Sequence, residues 1–209
     1  MIPVRILAMR TLANASPSLC QALGAPRGYP SLTMLTTDCD DATYIALDAA
    51  TKAAQVEVSY GRSFYAGAAN ASTPNAGEVI GILAGQTPGA VKSGLDAAVS
   101  ALNRLGFAEV AGVPYLAHTV SSVGTFLAKE AGIRPGEALA YLIAPPLEGM
   151  YAMDAALKAA DVRLCKLYAP PSETNFGGGL LTGTQSACDA ACAAFAAAVA
   201  AVAEKPTDI

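Results

Sequence analysis

Tryptophan is absent from this 209-residue chain, and histidine occurs once, as His118. With aromatics at 6%, the core cannot rest on large rings. It must be aliphatic and alanine-rich, which suits closely packed helices. A single histidine excludes a multi-histidine metal centre. No serine or cysteine stands at a telling distance from His118, so a nucleophile–base pair is not identifiable and a structural role is expected. The five cysteines, Cys20, Cys39, Cys165, Cys188 and Cys192, are odd in number and lack paired spacing. That argues against a disulfide framework. Cys188 and Cys192 stand one helical turn apart, but no histidine or second cysteine pair completes a zinc set. Together with Phe195, Val199 and Val202 they recur at helical spacing, the signature of a buried stripe.

Positive charge is also scarce. The net charge of −4 excludes a general nucleic-acid footprint. No run of about 20 strongly apolar residues is present. The alanine-rich stretch 187–203 is interrupted by Asp189 and reads as a soluble helix, so no membrane partner is expected. The opening MIPVRILAMR lacks the apolar core and cleavage site of a signal peptide, so a cytoplasmic location is expected. Gly177, Gly178 and Gly179 are not followed by the lysine and helix start that a phosphate loop needs. No cofactor motif, metal set or catalytic pair emerges, and the expectation is a protein without cofactor or enzymatic activity.

What the chain does have is an internal repeat. Residues 45–59 read IALDAATKAAQVEVS and residues 151–165 read YAMDAALKAADVRLC. Asp48 matches Asp154, Lys52 matches Lys158 and Val56 matches Val162, an offset of 106 residues. A long period occurring twice means two copies of a small domain. The expected domains are 1–107 and 108–209, each large enough for its own core.

Within the first half, strands are expected at 4–12, 31–37, 56–64 and 78–84. Helices are expected at 16–23, 41–54 and from Thr87 onward, the last with Pro88 at its first position. The second half repeats this order. Strands fall at 115–123, 138–144, 162–168 and 180–182, and helices at 125–131, 147–160 and 184–203. The segment 106–114 reads as a short linker. A direct strand–loop–strand unit in each half favours an α+β fold, with a mainly antiparallel sheet flanked by helices.

The pieces SLTMLTT, DAATKAAQV, EVIGILAG and TPGAVKSGLDAA resemble bacterial microcompartment (BMC) shell domains. The segments VRILAMRTLANASPSLCQALG and PYLAHTVSSVGTFLAKEAG resemble the end of an ordinary BMC domain, yet each precedes its core. That is the circularly permuted, tandem form. The resemblance implies a homotrimer imitating a hexamer. Its flat tiles would pack beside other BMC shell proteins, with a pore on the three-fold axis, and the shell would lie in the cytoplasm. The competing class is a small-molecule sensor that binds an amine without any shell role.

The resemblance also implies roles for particular residues. Lys52 and Lys158 match the tile-edge lysine; taken alone, each reads equally as a solvated helix lysine. Loops 66–77 and 170–179 occupy the pore-loop position. This implicates Tyr65, Ala66, Gly67, Asn70, Ser72, Thr73 and Asn75, and in the second loop Ser172, Glu173, Thr174, Asn175, Phe176 and Gly177. By composition these are also ordinary flexible hairpin loops. Asp40, Asp41 and Glu78, with Asp38 nearby, form an acidic group suited to a small polar or cationic metabolite. Helix capping by Asp40 or Asp41 is the alternative.

Overall fold

The structure, a computed structural model, describes residues 1–64, 73, 75, 77–170 and 175–207. In chain order its first elements are β1 (Ile2–Pro3), β2 (Ile6–Leu12), α1 (Pro17–Ala22), β3 (Ser31–Thr37), α2 (Asp40–Ala53), β4 (Val56–Ser63), β5 (Val79–Gly85) and α3 (Pro88–Leu102). Then come β6 (Gly106–Val110), β7 (Val113–Val120), α4 (Thr125–Ala131), β8 (Ala138–Ala144), α5 (Pro146–Ala159), β9 (Val162–Tyr168), β10 (Gly177–Gly183) and α6 (Gln185–Glu204).

The chain divides into two compact units. The first holds Pro3–Leu105 and Gly124–Leu127; the second holds Met1–Ile2, Gly106–Val123 and Ala128–Ile209. In the first unit an antiparallel sheet has the order β2-β3-β5-β4. In the second unit the order β7-β8-β10-β9 repeats it, extended at the β7 edge by β6 and β1. The match reaches single residues. A β-bulge interrupts β4 between Val58 and Tyr60, and β9 skips a residue at the same place, between Leu164 and Lys166. Ala15 N–H bonds Pro30 O and Ala25 N–H bonds Cys20 O; Val123 N–H bonds Glu137 O and Ile133 N–H bonds Ala128 O.

Each core follows from composition. β8 reads ALAYLIA and is buried along its whole length, as expected of a strand with neighbours on both sides and helices above. In the second unit Cys188, Cys192, Phe195 and Val199 of α6 are buried with Ala152, Met153 and Ala156 of α5. Small side chains on α5 let the helices approach closely. This is the stripe the cysteine spacing predicted, except that Val202, in the last turns of α6, is only half-buried. Helix starts are equally local. Thr87 accepts a hydrogen bond from Ala90 N–H at 3.1 Å, and Thr184 from Ala187 N–H at 3.2 Å.

Two sequence expectations need correction. The segment read as a linker, 106–114, is instead a β-hairpin of β6 and β7, turning at Ala111 and Gly112 with φ of 48° and 81°. Positive φ at both turn residues is the geometry two-residue hairpins favour. The glycine run expected in a loop opens β10 instead. Gly178 has φ of 148°, and a Cβ there would collide with the Leu142 carbonyl oxygen. Glycine is required where β10 meets β8 so closely, which low strand propensity concealed.

A buried carboxylate ties one more segment into the first unit. Asp48, on α2, has no exposed surface. It accepts Gly124 N–H at 2.7 Å and Leu127 N–H at 2.9 Å, and Lys52 Nζ lies 3.3 Å away. Thr51 Oγ1 accepts Thr125 N–H at 3.1 Å, and the rings of Tyr44 and Phe126 meet at 5.9 Å. Asp48→Ala should strand two buried amides and lower stability by roughly 2–4 kcal/mol, since each unsatisfied buried group costs about 1–3 kcal/mol. Urea unfolding monitored by circular dichroism measures it; a change under about 0.5 kcal/mol, the usual range of a surface substitution, would remove Asp48 from the fold's supports.

Candidate functional site

The acidic group forms where β3 hands over to α2. Thr37 ends β3 and its hydroxyl accepts Cys39 N–H at 3.2 Å. Thr37 and Thr43 share a hydroxyl hydrogen bond of 2.7 Å, and Thr43 donates to Cys39 O at 2.7 Å. These bonds fix the first turn of α2, where Asp40 and Asp41 are only 8% and 7% exposed. Asp40 Oδ1 accepts the Asp41 N–H at 2.9 Å. Two carboxylates in a first turn are favoured by the helix dipole. Glu78 arrives from the other side: its N–H donates to Thr37 O at 2.8 Å, and its carbonyl accepts Phe64 N–H at 3.0 Å.

The electrostatics register the convergence. Burial pushes the Cys39 thiol well above its ordinary value, and the negative charges of Asp41, Asp40 and Glu78 push it further. Burial also raises Asp40, against the lowering effect of hydrogen bonds from Ser63 and from backbone N–H groups. Tyr44 is pushed up to about 12, chiefly by burial, although its hydrogen bond to Ser63 pulls the other way. Its hydroxyl and the Ser63 hydroxyl are 2.5 Å apart. The structure therefore gathers Asp40, Asp41 and Glu78, as the sequence suggested. Asp38 is taken up elsewhere: Arg5 Nε donates to Asp38 Oδ2 and Arg5 N–H to Asp38 Oδ1, both at 2.7 Å. Tyr44 and Ser63 went unnoticed in the sequence. Tyr44 stands four residues after Asp40, a helical neighbour that could have been found; Ser63 is reached only through the β4 fold. Among the described residues no three His, Cys, Asp or Glu side chains are arranged to hold a metal ion.

The other candidates are scattered. Lys52 and Lys158 are both exposed; Lys52 pairs with the buried Asp48 at 3.3 Å, and Lys158 with the exposed Asp154 at 2.6 Å. Of the first loop, Thr73 and Asn75 are exposed, and the Asn75 carbonyl accepts the Thr36 hydroxyl at 2.9 Å. Tyr65, Ala66, Gly67, Asn70, Ser72, Ser172, Glu173 and Thr174 lie outside the described residues. Asn175 has φ of 64° and Phe176 meets Phe107 edge-on at 5.7 Å. Gly177, expected in the loop, is buried at the start of β10. His118 stands in β7 opposite Tyr141 of β8.

The twice-used antiparallel α+β unit belongs to a known class. The BMC domain family model matches residues 31–114. The match begins at the first residue of β3, leaving β2 and α1 ahead of it, as a permuted domain requires. The bacterial microcompartment shell protein EutL of Clostridium perfringens (strain 13 / Type A) is 56% identical over 99% of this chain and 97% of its own. The crystal structure of ethanolamine utilization protein EutL from Leptotrichia buccalis C-1013-b superposes with a TM-score of 0.97 at 58% identity, covering 100% of this chain and 98% of that one. A trimeric bacterial microcompartment shell protein, PduB, shares the fold, with a TM-score of 0.80 at 19% identity over 96% of this chain and 89% of its own. The chain belongs to the EutL family of bacterial microcompartment shell proteins.

Raised Asp40 has a thermodynamic consequence. Its folded value lies above the unfolded one, so the native state holds the proton more tightly. The ionised carboxylate therefore subtracts stability above the folded value. That loss disappears as pH falls below the ordinary carboxylate range. Asp40→Asn should raise the melting temperature at pH 7, with the gain shrinking steadily on acidification. Calorimetric melting from pH 7 to pH 4 checks it; a pH-independent difference would mean that the carboxylate is not strained by burial.

Proposed function

We propose that the chain is a pore-bearing tile of a microcompartment shell that encloses ethanolamine breakdown. It works as a homotrimer in which six similar units, two per chain, imitate a hexamer. The observation that carries this reading is the residue-level repeat, with one strand order and one bulge position in both units. Two units of one design can occupy alternating places around a three-fold axis, and a cyclic arrangement closes without exposed ends. The EutL kinship supports the shell over a free-standing amine sensor. The domain division at 107/108, the pore-loop role of residues 66–77 and 170–179, and the edge role of Lys52 and Lys158 belong to this same reading. So does lateral packing against other shell proteins.

Asp40, Asp41 and Glu78 act in it as an acceptor site for a small ammonium compound, ethanolamine being the one named by the relatives' pathway. A primary ammonium supplies three donors, and charge-assisted bonds are the strong ones. A cation also offsets the burial that raises Asp40. Modest affinity is expected, because a site on a transport route must release what it admits.

Light scattering should give a trimer mass at micromolar concentration; a monomer or dimer rejects the tile. Lys52→Ala with Lys158→Ala should leave the trimer intact but disrupt extended sheets in electron micrographs, and unaltered sheets would make both lysines merely solvated. Titration calorimetry should detect ethanolamine binding that weakens as pH falls through the raised Asp40 value. Binding that survives Asp40→Asn with Glu78→Gln at unchanged affinity would leave the acidic group a purely structural one.

A further inference from the structure

We infer that the cavity between α1 and the loop 24–30 is a binding site for a small organic anion, a phosphate or carboxylate joined to a flat apolar body, in which Arg27 holds the charged group and Tyr29 the body. This goes beyond the tile reading and does not depend on it. The cavity lies wholly within the first unit and measures about 710 Å³. Sites for small molecules usually span about 300–1,000 Å³.

Its walls are fixed before any ligand arrives. Pro17 of α1 and Pro26 and Pro30 of the loop line it. Three backbone bonds pin the loop: Ala25 N–H to Cys20 O at 2.9 Å, Tyr29 N–H to Pro26 O at 3.0 Å, and Ala15 N–H to Pro30 O at 2.8 Å. Gly28, with φ of 87°, turns the chain between Arg27 and Tyr29. Tyr29 is half-buried and packs on the small apolar cluster of Ala15, Leu32, Ile82 and Ala84. A held ring offers a flat surface for stacking, and a preformed wall loses little freedom on binding.

The polar lining selects the ligand's charge. Arg27 is the one charged residue among those described around the cavity. Its guanidinium has no hydrogen bond or ion pair among the described residues. A planar guanidinium matches two oxygens of a carboxylate or phosphate. Asn14, Gln21 and Gln86 add amides whose side chains are likewise unbonded among the described residues. Each can donate and accept, so they suit the polar edges of a ligand body as well as anionic oxygens.

The second copy shows the same turn without this chemistry. Glu137 N–H bonds Arg134 O at 3.2 Å, as Tyr29 N–H bonds Pro26 O, and Gly136 has φ of 93° where Gly28 has 87°. There the arginine is closed by its own ion pair, Arg134 with Glu137 at 2.7 Å. In the first copy Tyr29 holds the position of Glu137, and the arginine stands one residue later in the turn. The acid that would neutralise the cation is thus replaced by the ring that stands beside it. Both changes point the same way: a positive charge left for an outside anion, in a chain whose net charge is −4.

The chain holds no tryptophan, so Tyr29→Trp in the full chain puts a single reporter in the cavity wall. Adenosine monophosphate or benzoate should change its fluorescence saturably. A response to the first alone assigns a phosphate ligand, and to the second alone a carboxylate. Adenosine and inorganic phosphate, each lacking one half of the ligand, should bind about tenfold more weakly, and Arg27→Gln should cost about tenfold, by the usual worth of a charged hydrogen bond. Arg134→Gln, which removes the arginine already paired, should leave binding unchanged. Titration calorimetry on the unaltered chain decides the matter if the tryptophan itself disturbs the wall. No saturable binding of either anion by calorimetry, or equal binding by the Arg27→Gln and Arg134→Gln variants, overturns the site. A chain that is monomeric in light scattering overturns the tile and leaves this site standing.

Discussion

Asp48 is a charge that water cannot reach, and much of the first unit depends on how it is satisfied. An ionised carboxylate out of contact with solvent is tolerated only with hydrogen-bond donors around it. Here two come from the backbone, at Gly124 and Leu127, and Lys52 stands beside them. Those donors lie far along the chain, so a segment between two second-unit stretches is drawn into the first unit. Phe126 packs against Tyr44 and Thr125 bonds Thr51 in consequence. Removing one partner of such a set leaves the rest buried and unpaired, which makes it costly to break and selective about what sits opposite.

The same region shows what could be read from the sequence. The repeat was visible because Asp48, Lys52 and Val56 recur at the same spacing in the second copy, as Asp154, Lys158 and Val162, even though Asp48 is buried and Asp154 exposed. Helix starts at Thr87 and Thr184 were visible because capping is local. The antiparallel sheets followed from the strand–loop–strand unit in each half, and the buried stripe of α6 from apolar periodicity, with Cys188, Cys192, Phe195 and Val199 buried and Val202 half-buried. The hairpin at 106–114 was not visible. Its turn is set by two positive φ values, and Ala111 gives no sign of one. β10 was concealed by its glycines, whose need is a close approach to β8 that no single-strand pattern encodes. In the acidic site Asp40, Asp41 and Glu78 were legible by charge. Ser63 was not, because its contact depends on β4 pairing beside β5.

A resemblance between two copies makes their differences informative. α2 opens with Asp40 and Asp41, while α5 opens with Pro146 and Leu147. Tyr44 has Met150 as its counterpart, and Ser63 has Ala169. The polar quartet of the first unit is thus replaced throughout by apolar residues in the second. The change is concerted, as expected for a cluster in which a lone surviving carboxylate would be buried without its hydrogen-bond partners.

A chain with two unlike copies can confine such a cluster to one of them, which identical copies cannot. Burial raises Asp40 and, with three nearby carboxylates, pushes Cys39 well up. Both shifts come chiefly from burial. Repeating the cluster in both units would repeat that cost without adding a new kind of contact. Pro146 and Leu147 stand where α2 has Asp40 and Asp41, so the charge is confined to one copy and the matching helix start of the other is apolar. Duplication is what allows a single chain to keep both kinds of helix start.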